Sequence, residues 1–370
     1  MTKLEEARSI INRIDREMAQ LFCERMDAAR MVAEYKRETG MPVFDPEREA
    51  EVIRKNIALL DRDEFRSYYI DYLQNMMDLS KRYQKRLLDG RRIAYSGVKG
   101  AFAWMAAERI FPAGTTVPYP DFQSAYDAVE KGECDCAVLP IENSYQGDVA
   151  QVMDMAFAGS LYINGVYDLE VTQNLLALPG TRLSDITEAI SHAQALGQCA
   201  NYLKAHGIKA TEASNTAVAA QMVSEMGRRD LAAIASRETA ALYGLEIVEK
   251  EINESRSNTT RFAVFSRTPA AISPADNHFI MFFTVRNEAG ALGRAISVIG
   301  QNGFNLRALK SRPTKDNNWE YYFYVEGEGN IHAPNGQQML EWLQMACSNV
   351  KVVGSFISEK KLIEKKGYED

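Results

Sequence analysis

The sequence has no uninterrupted apolar stretch near the roughly 20 residues that a membrane-spanning helix needs. Its first residues, Met1 to Glu6, contain no apolar segment of the kind found in secretion signals. Cysteine is scarce: five are scattered along 370 residues, an odd number with no disulfide-like spacing. These absences predict a protein that is neither inserted in a membrane nor exported, in a reduced, cytoplasmic setting.

Basic residues are outnumbered by acidic ones, and histidine is scarce. The formal net charge is −7, which argues against a general nucleic-acid partner. The four histidines do not pair, and the spacing of Cys134 and Cys136 is wrong for half of a zinc site. We therefore expect no metal and no other cofactor.

The chain contains enough ordinary sequence for several domains. Hydrophobic residues make up 46% and charged residues 25%, which is typical of globular proteins, and 370 residues suggest two or three domains. A stretch rich in Pro, Ala and Ser, Arg267 to Asp276, is a natural linker. We predict domains over residues 1–90, 91–267 and 277–366.

The first segment is predicted to be entirely helical. Neither Gly nor Pro occurs from Thr2 to Thr39, and Gly40 ends that run. Asp45 and the proline after it begin a second helix, and a third covers about Glu64 to Leu88. Only two shorter helices are available to cover the long one, so we expect a homodimer or a higher oligomer. The apolar stripe left to cover is Ile10, Ile14, Met18, Leu21 and Phe22.

Polar side chains of this segment lie at informative spacings. Arg25 and Lys36 are eleven residues apart and share a helix face. Arg8 precedes Arg25 by 17 residues, about 25 Å along a helix axis. One chain cannot close Arg8 and Arg25 on one small ligand, whereas two antiparallel copies can. Ser80 and Gln84, four residues apart, also share a face.

These residues, with Asp45, Arg48 and Glu49, resemble the active-site set of the all-helical chorismate mutases. The resemblance implies an intertwined dimer that rearranges chorismate to prephenate with no covalent intermediate. The alternative for any one of these residues is an ordinary solvent-facing charge on a helix. By resemblance, Arg8 of the second copy, Arg25 and Arg48 would hold the carboxylates, Lys36 and Gln84 the ether oxygen and Glu49 the ring hydroxyl, with Asp45 and Ser80 completing the binding set.

In the second segment, a buried strand gives way to a polar loop. The apolar run from Ala137 to Leu139 ends at Pro140, and a helical pattern begins near Val149. Ligands of open α/β sheets bind at such strand ends, and a helix N-terminus favours anions. We predict the floor of a site for a small anion. The polar residues of the loop are Glu142, Asn143, Ser144 and Gln146.

Strands and helices alternate through this segment, which predicts mainly parallel sheets covered by helices. The alternation restarts after Val171, so we expect two lobes with a cleft between them. The stretch from Thr260 to Phe265 should return to the first lobe.

The stretches Ile141 to Ser144 and Thr260 to Phe262 resemble the signatures of prephenate dehydratases, whose fold is similar to the two-lobed periplasmic-type binding proteins. The resemblance implies loss of CO2 and hydroxide from prephenate to give phenylpyruvate, with the Thr260 hydroxyl assisting the leaving group. A structural ion pair is the alternative for Arg261. The substrate-binding residues implied are Glu142, Asn143, Ser144, Ser191, Gln198 and Arg261.

Three positions depart from that family pattern. Ala101 and Ala103 stand where its members usually carry hydroxyl residues, and Ala193 stands where proline is usual. A hydroxyl-based anion contact is therefore not expected at the first turn.

The third segment has the order βαββαβ, which is ferredoxin-like. Asn287 to Gly293 and Ser311 to Pro313 resemble the amino-acid-binding motifs of ACT regulatory domains, which implies L-phenylalanine as effector. Lys310 stands where glutamate is usual, which puts the effector in question. The alternative is a dimerisation domain without a ligand. The effector-binding residues implied are Gly290, Ala291, Leu292, Ser311, Arg312 and Pro313.

As a whole, the chain resembles bifunctional chorismate mutase–prephenate dehydratases with a C-terminal ACT domain. Two alternatives stay open at this point. One is an amino-acid-responsive binding or regulatory protein that kept the folds without the chemistry. The other is a dehydratase that prefers arogenate to prephenate.

Overall fold

The structure is a computed structural model that describes residues 2–254, 258–314, 321–358 and 360–362. The end of the third predicted segment, at residue 366, lies outside the described residues. Internal contacts divide the chain into two units, Met1–Arg92 and Ile93–Asp370.

The first unit contains the three predicted helices. Thr2 begins the long helix with a capping box to Glu5, and Gly40 ends it in the left-handed conformation, at φ 72°. The Asp45 side chain accepts from the Arg48 N–H and caps the second helix. The helices are α1 (Lys3–Thr39), α2 (Pro46–Ile57) and α3 (Arg66–Asp89), with a single 3₁₀ turn at Asp63–Phe65.

The long helix α1 is nearly bare within this unit. Ala29 and Ala33 are its buried residues, and both lie in its C-terminal part, where it packs on α3. The predicted apolar stripe is exposed, from 40% at Phe22 to 61% at Leu21. One copy of the unit therefore leaves a long apolar face without cover.

The second unit begins with one α/β lobe. Its sheet runs in the order β16 (Lys360–Lys361), β5, β11 (Thr259–Ser266), β3, β1, β2, with β4 paired to β3. The first elements of this lobe are β1 (Arg92–Ser96), α4 (Phe102–Ile110), β2 (Thr115–Tyr119), α5 (Phe122–Glu130), β3 (Cys136–Asn143), β4 (Gly147–Asp148), α6 (Ala150–Ala158) and β5 (Tyr162–Glu170).

A second lobe follows, with its own sheet in the order β10, β6, β9, β7, β8. The chain then returns to the first lobe through β11 (Thr259–Ser266), as predicted. The second lobe consists of β6 (Asn174–Ala177), β7 (Glu188–Ser191), α7 (Ala193–Gln198), α8 (Ala200–Ala205), β8 (Lys209–Glu212), α9 (Thr216–Met226), β9 (Leu231–Ala235), α10 (Arg237–Tyr243) and β10 (Glu246–Glu249), with a 3₁₀ turn at Leu183–Asp185.

The expectation of mainly parallel sheets holds for only part of each lobe. Parallel pairing joins β1 to β3 and β7 to both β8 and β9. The crossing strands pair antiparallel: β11 with β3 and β5, and β6 with β9 and β10. The chain passes between the lobes twice, so the strands at the two crossings run against their neighbours.

The C-terminal part of the second unit is a four-stranded antiparallel sheet with two helices. Its strand order is β13, β14, β12, β15, and the predicted element order βαββαβ is present. We call residues 277–358 the C-terminal module. Its elements are β12 (His278–Thr284), α11 (Ala291–Gln301), β13 (Asn305–Pro313), β14 (Tyr321–Glu328), α12 (Pro334–Ala346) and β15 (Asn349–Phe356), and the short strand β16 (Lys360–Lys361) follows them.

The C-terminal module shares a core with the first lobe. Phe157 of α6 stacks on Tyr322 of β14, with ring centroids 4.1 Å apart, and also meets Phe282 of β12. These rings belong to one cluster of buried residues that spans both bodies. Strand β16 pairs with β5 at the edge of the first lobe. The module is thus built onto the first lobe.

Candidate active sites

In the helical unit, α1 and α3 bring three predicted residues together. Arg25 bonds to Ser80 Oγ, and its Nη1 lies 3.4 Å from the Met76 carbonyl oxygen. Gln84, one turn beyond Ser80, is buried, and among the residues that the structure describes its Oε1 has no hydrogen-bond partner. A buried amide with an unpaired end is costly unless a ligand pairs with it. The unpaired amide oxygen of Gln84 is therefore suited to a polar ligand.

Three further predicted residues of this unit are held by neighbours within it. Lys36 Nζ donates to the Val43 carbonyl oxygen at 2.7 Å, at the link between α1 and α2. Glu49 pairs with Lys81 at 2.8 Å, and Arg48 pairs with Glu51 at 2.6 Å. Each of these three side chains therefore has a partner within the same unit.

The remaining two predicted residues of this unit, Asp45 and Arg8, have other surroundings. Asp45 has a structural task, because its carboxylate caps α2. Arg8 is exposed near the start of α1, and the continuous helix separates it from Arg25 by about 25 Å. Within one chain, Arg8 and Arg25 therefore cannot contact the same small ligand.

The second unit has a cleft of about 470 Å³ that is lined by both of its lobes. Asn143 at the end of β3 and Thr260 on β11 line it from the first lobe. His192, Gln194 and Gln198, which lie in and just before α7, line it from the second. Gln194 Nε2 lies 3.3 Å from Asn143 Oδ1, so the two lobes touch across the cleft.

A line of side-chain hydrogen bonds crosses the floor of the cleft. Asn143 Nδ2 donates to Thr260 Oγ1 at 2.9 Å and to Asn258 Oδ1 at 3.0 Å. Asn258 Nδ2 in turn donates to Gln198 Oε1 at 3.0 Å. Thr260 receives a hydrogen bond in this line, so its own proton remains available to a bound ligand. All four residues are buried.

Several predicted dehydratase residues lie elsewhere. Ser191 is fully buried and donates to the Ile234 carbonyl oxygen at 2.6 Å, so its hydroxyl is already committed. Ser144 is exposed, and its Oγ accepts from the Thr259 N–H at 2.9 Å, which fastens the loop. Neither residue lines the cleft.

Glu142 and Arg261 also face away from the cleft. Successive side chains of a strand point to opposite faces. Because Asn143 and Thr260 face the cleft, Glu142 and Arg261 face the opposite side of the sheet. Arg261 Nη1 lies 3.0 Å from Glu142 Oε2, and Lys310 Nζ lies 2.9 Å from Glu142 Oε1. Burial alone would raise the pKa of Glu142, but hydrogen bonds from Lys310 and Arg261 lower it. Arg261 therefore takes part in a structural ion pair, which was the alternative to a substrate-binding role.

Asn258, Gln173 and Gln194 also line the cleft and were not among the predicted site residues. Asn258 shares a strand face with Thr260 and Phe262, so alternation from Thr260 could have found it. Gln173 is 2% exposed, and within the described ranges its Oε1 has no partner. No sequence signal marks Gln173, because it lies between two apolar strands. Ala101 and Ala103 line the cleft without a hydroxyl, and Ala193 begins α7.

The predicted effector residues lie in two separate places of the C-terminal module. Gly290 adopts a left-handed conformation at φ 82° just before α11, where Ala291 lines a cavity with Trp342. Pro313 lines another cavity with Asp154, and Arg312 pairs with Asp154 at 2.8 Å. Leu292 is part of the module core. Ala291 of the first motif and Pro313 of the second therefore line different cavities of one chain.

No group of three or more His, Cys, Asp or Glu side chains among the described residues could hold a metal ion. No helix of the described ranges is long and apolar enough to cross a membrane.

Comparisons with known proteins match both the helical unit and the two-lobed part of the second unit. The family model for chorismate mutase type II matches residues 7–85, and the one for prephenate dehydratase matches residues 93–270. A bifunctional chorismate mutase/prephenate dehydratase of Neisseria gonorrhoeae is 32% identical, covering 94% of this chain and 95% of the relative. An Arabidopsis thaliana arogenate dehydratase/prephenate dehydratase is 35% identical over 72% of each chain.

A solved structure is similar to the second unit. It is the prephenate dehydratase of Arthrobacter aurescens in complex with L-Phe, which is 27% identical with a TM-score of 0.66. The match covers 72% of this chain and 90% of that one. The chain belongs to the family of bifunctional chorismate mutase/prephenate dehydratases, enzymes of phenylalanine biosynthesis that form prephenate from chorismate and phenylpyruvate from prephenate.

Proposed function

We propose that the hydroxyl of Thr260 drives the dehydratase step by donating its proton to the departing ring hydroxyl. The observation that carries this role is the direction of one hydrogen bond: Asn143 Nδ2 donates to Thr260 Oγ1 at 2.9 Å. The hydroxyl therefore accepts through one lone pair, and its proton is free to be donated to a ligand. Loss of CO2 and hydroxide leaves an aromatic ring, so a weak, well-placed acid in a dry cleft suffices.

The remaining cleft amides orient the substrate. Asn143 fixes Thr260, and Gln198 is buried with its Nε2 unpaired in the described chain, which leaves a donor for a ligand oxygen. The unpaired Oε1 of Gln173 supplies an acceptor. Glu142, Ser144, Ser191 and Arg261 act as supports of this floor, not as ligands, because their polar atoms are held by neighbours.

In the helical unit we propose that a clamp of positive charge holds chorismate in its reactive folded shape. Arg25 and Arg48 hold carboxylates together with Arg8 of a second copy. Lys36 and Gln84 meet the ether oxygen, where charge builds as the bond breaks. The exposed apolar stripe of α1 supports a dimer, because it is the face that a second copy would cover. Glu49 takes the ring hydroxyl, while Ser80 and Asp45 hold Arg25 and α2 in place.

For the C-terminal module we propose a ferredoxin-like ACT regulatory domain that binds L-phenylalanine. The strand order and the left-handed Gly290 support this assignment. The complex of the related Arthrobacter aurescens enzyme with L-Phe supports the ligand. Lys310 does not argue against that effector, because its ammonium group is occupied by Glu142 and Asp148. Two copies would be needed to bring Gly290–Leu292 and Ser311–Pro313 to one ligand.

One assay of the full chain tests this function. Thr260→Val keeps the shape of the side chain but removes the proton, so we expect phenylpyruvate formation to fall by roughly a hundredfold or more. Thr260→Ser should retain most of it, and both variants should still turn chorismate into prephenate, which is the internal control. Unchanged dehydration by Thr260→Val would refute the role.

The same assay separates the other proposals. With prephenate and arogenate offered in parallel, the ratio of kcat/KM values decides which one the cleft prefers. Added L-phenylalanine should lower phenylpyruvate formation by the wild-type chain. A regulatory protein without chemistry would bind these compounds and release no phenylpyruvate. A cytoplasmic location stays a prediction that cell fractionation can check.

A further inference from the structure

The rear face of the cleft strands carries a chain of charged side chains that reaches into the C-terminal module. Arg261 contacts Glu142 at 3.0 Å on its own sheet and Glu326 of β14 at 2.9 Å. Its second Nη atom also bonds to Glu326. His278 Nε2 of β12 lies 2.6 Å from Glu326 Oε1. The guanidinium of a cleft strand is therefore held by a carboxylate of the module.

The carboxylate of Glu326 is among the most deeply buried charges described. Glu326 and His278 are each 1% exposed. Burial alone would raise the pKa of Glu326, but hydrogen bonds from Arg261 and His278 lower it below its ordinary value. A buried charge of this kind is stable only while its partners stay in position. Glu326 therefore fixes Arg261 firmly.

Arg261 is directly linked to the proposed acid. In the pairing of β11 with β3, Thr260 lies opposite Asn143 and Arg261 lies opposite Glu142, and the register shifts just after Arg261. Thr260 and Asn143 face the cleft, while Arg261 and Glu142 face the module. A displacement of Arg261 would move the backbone of Thr260, whose hydroxyl must meet the leaving group.

Lys310 of β13 makes a second connection from the module. Its Nζ lies 2.9 Å from Glu142 Oε1 and also bonds to Asp148. Asp148 lies on β4, which pairs with the Glu142–Asn143 end of β3 and lines the cleft. Lys310 therefore holds both sides of the loop that carries Asn143.

We infer that the C-terminal module supplies two positioning residues to the dehydratase cleft, Glu326 acting through Arg261 on Thr260 and Lys310 acting through Glu142 and Asp148 on Asn143. The inference rests on the proposed role of Thr260. Neither residue touches the substrate. They set the distance and direction of groups that do, which changes kcat more than KM.

The molecule offers a matched control for simple attachment of the module. Asp154 of α6 pairs with Arg312 at 2.8 Å and accepts from the Tyr322 hydroxyl at 2.6 Å. This contact joins the same two bodies, and its burial is comparable to that of the Lys310–Glu142 pair, since Asp154 is 18% and Arg312 24% exposed, against 21% for Lys310 and 29% for Glu142. Asp154 does not line the cleft. Asp154→Asn should weaken attachment without moving Thr260.

The test measures kcat and KM for prephenate in the full chain. We expect Glu326→Gln to lower kcat roughly tenfold with KM within about twofold, as expected for a lost coupling contact. Asp154→Asn should leave both constants unchanged. In an Arg261→Met background, Glu326→Gln should have no further effect, because the route through Arg261 is already cut. Equal losses in Glu326→Gln and Asp154→Asn, or additive losses with Arg261→Met, would overturn the inference.

Lys310 provides a second test if Glu326→Gln fails to fold. Lys310→Met should lower kcat, and Lys310→Arg, which keeps the charge, should restore it. A normal kcat in Lys310→Met would overturn this half. Conversion of chorismate to prephenate reports folding of the helical unit, and thermal unfolding reports that of the second unit.

The outcomes separate this inference from the function on which it rests. If Thr260→Val keeps its dehydratase activity, the proposed role of Thr260 as acid is refuted, whatever the module variants show. If Thr260→Val is inactive and Glu326→Gln loses no more kcat than Asp154→Asn does, only the positioning role is refuted.

Discussion

Asn143 uses both ends of its side-chain amide. The Nδ2 group donates to Asn258 and Thr260, and Oδ1 accepts from the N–H groups of Tyr145 and Gln146. An aspartate here would lose both donors, and Thr260 would have to turn its own proton to the carboxylate. The amide therefore keeps the threonine proton free.

Substitution of Gln173 should weaken substrate binding without lowering the stability of the fold. Its buried Oε1, unpaired in the described residues, costs folding free energy until a ligand pairs with it. We expect Gln173→Met to leave the free energy of unfolding unchanged or to raise it by up to about 1 kcal/mol, and to raise KM for prephenate roughly tenfold. Thermal unfolding and steady-state kinetics check both effects.

A control for this substitution is Gln221→Met on α9, where the amide donates to Glu225 at 2.8 Å, an exposed contact. It should change neither quantity. A Gln173→Met chain that unfolds more easily and binds prephenate normally would show that the side chain is purely structural.

At the scale of elements, β3 and β11 serve two surfaces at once. One face of each strand lines the cleft with amides and a hydroxyl, and the other carries the charges that meet the C-terminal module. The period of two along a strand makes this division possible. A change on the module side therefore lies one peptide bond from the chemistry.

The charged face makes the folding stability of the second unit depend on pH. Glu326 faces Arg261, His278 and Tyr324, and its pKa is lowered in the folded chain although burial alone would raise it. Its contribution is complete above its ordinary value of 4.5 and is lost as pH falls toward the folded pKa. We expect the second unit to lose on the order of 2 kcal/mol from this group between pH 5 and pH 3.

Unfolding midpoints of the full chain at several pH values measure this loss. Glu326→Gln should flatten the slope below about pH 4.5, whereas Glu328→Gln, at an exposed carboxylate on the same strand, should not. Identical slopes for wild type and Glu326→Gln would contradict the pairing.

At the scale of the whole molecule, the helical unit is incomplete alone. Helix α1 buries Ala29 and Ala33 and exposes its apolar stripe, and Arg8 is about 25 Å from Arg25 along the helix. The proposed dimer accounts for both facts, because a second copy would cover the stripe and bring its own Arg8. The mutase site would then belong to the pair of chains.

Mixing two inactive variants tests this shared site. Arg8→Ala and Lys36→Ala should each lose chorismate turnover. Unfolded and refolded together, about half of the dimers are mixed and each has one intact site of two, so about a quarter of the wild-type rate returns.

A second copy of the same variant cannot restore activity, so each variant refolded alone is the control. Exposed Lys55→Ala should stay active throughout. No recovery on mixing would mean that Arg8 and Lys36 of one site come from the same chain or that Arg8 has no role.

Local sequence was enough to predict the helices of the first unit. The absence of Gly and Pro up to Thr39, the Gly40 stop and the Asp45 cap act within a few residues, so α1 and the start of α2 were foreseen closely. The return of β11 to the first lobe and the element order of the C-terminal module also followed from the patterns.

The tertiary structure decided which side chains face the cleft. The sequence shows that Glu142 and Asn143 are neighbours, and alternation allows only one of them on each side of β3. Which side meets the cleft depends on what packs behind the sheet, and here the C-terminal module lies behind it. Lys310 likewise found its partners on another body, 168 residues away at Glu142. Contacts between residues so distant in sequence leave no local pattern, because they arise only when the bodies pack.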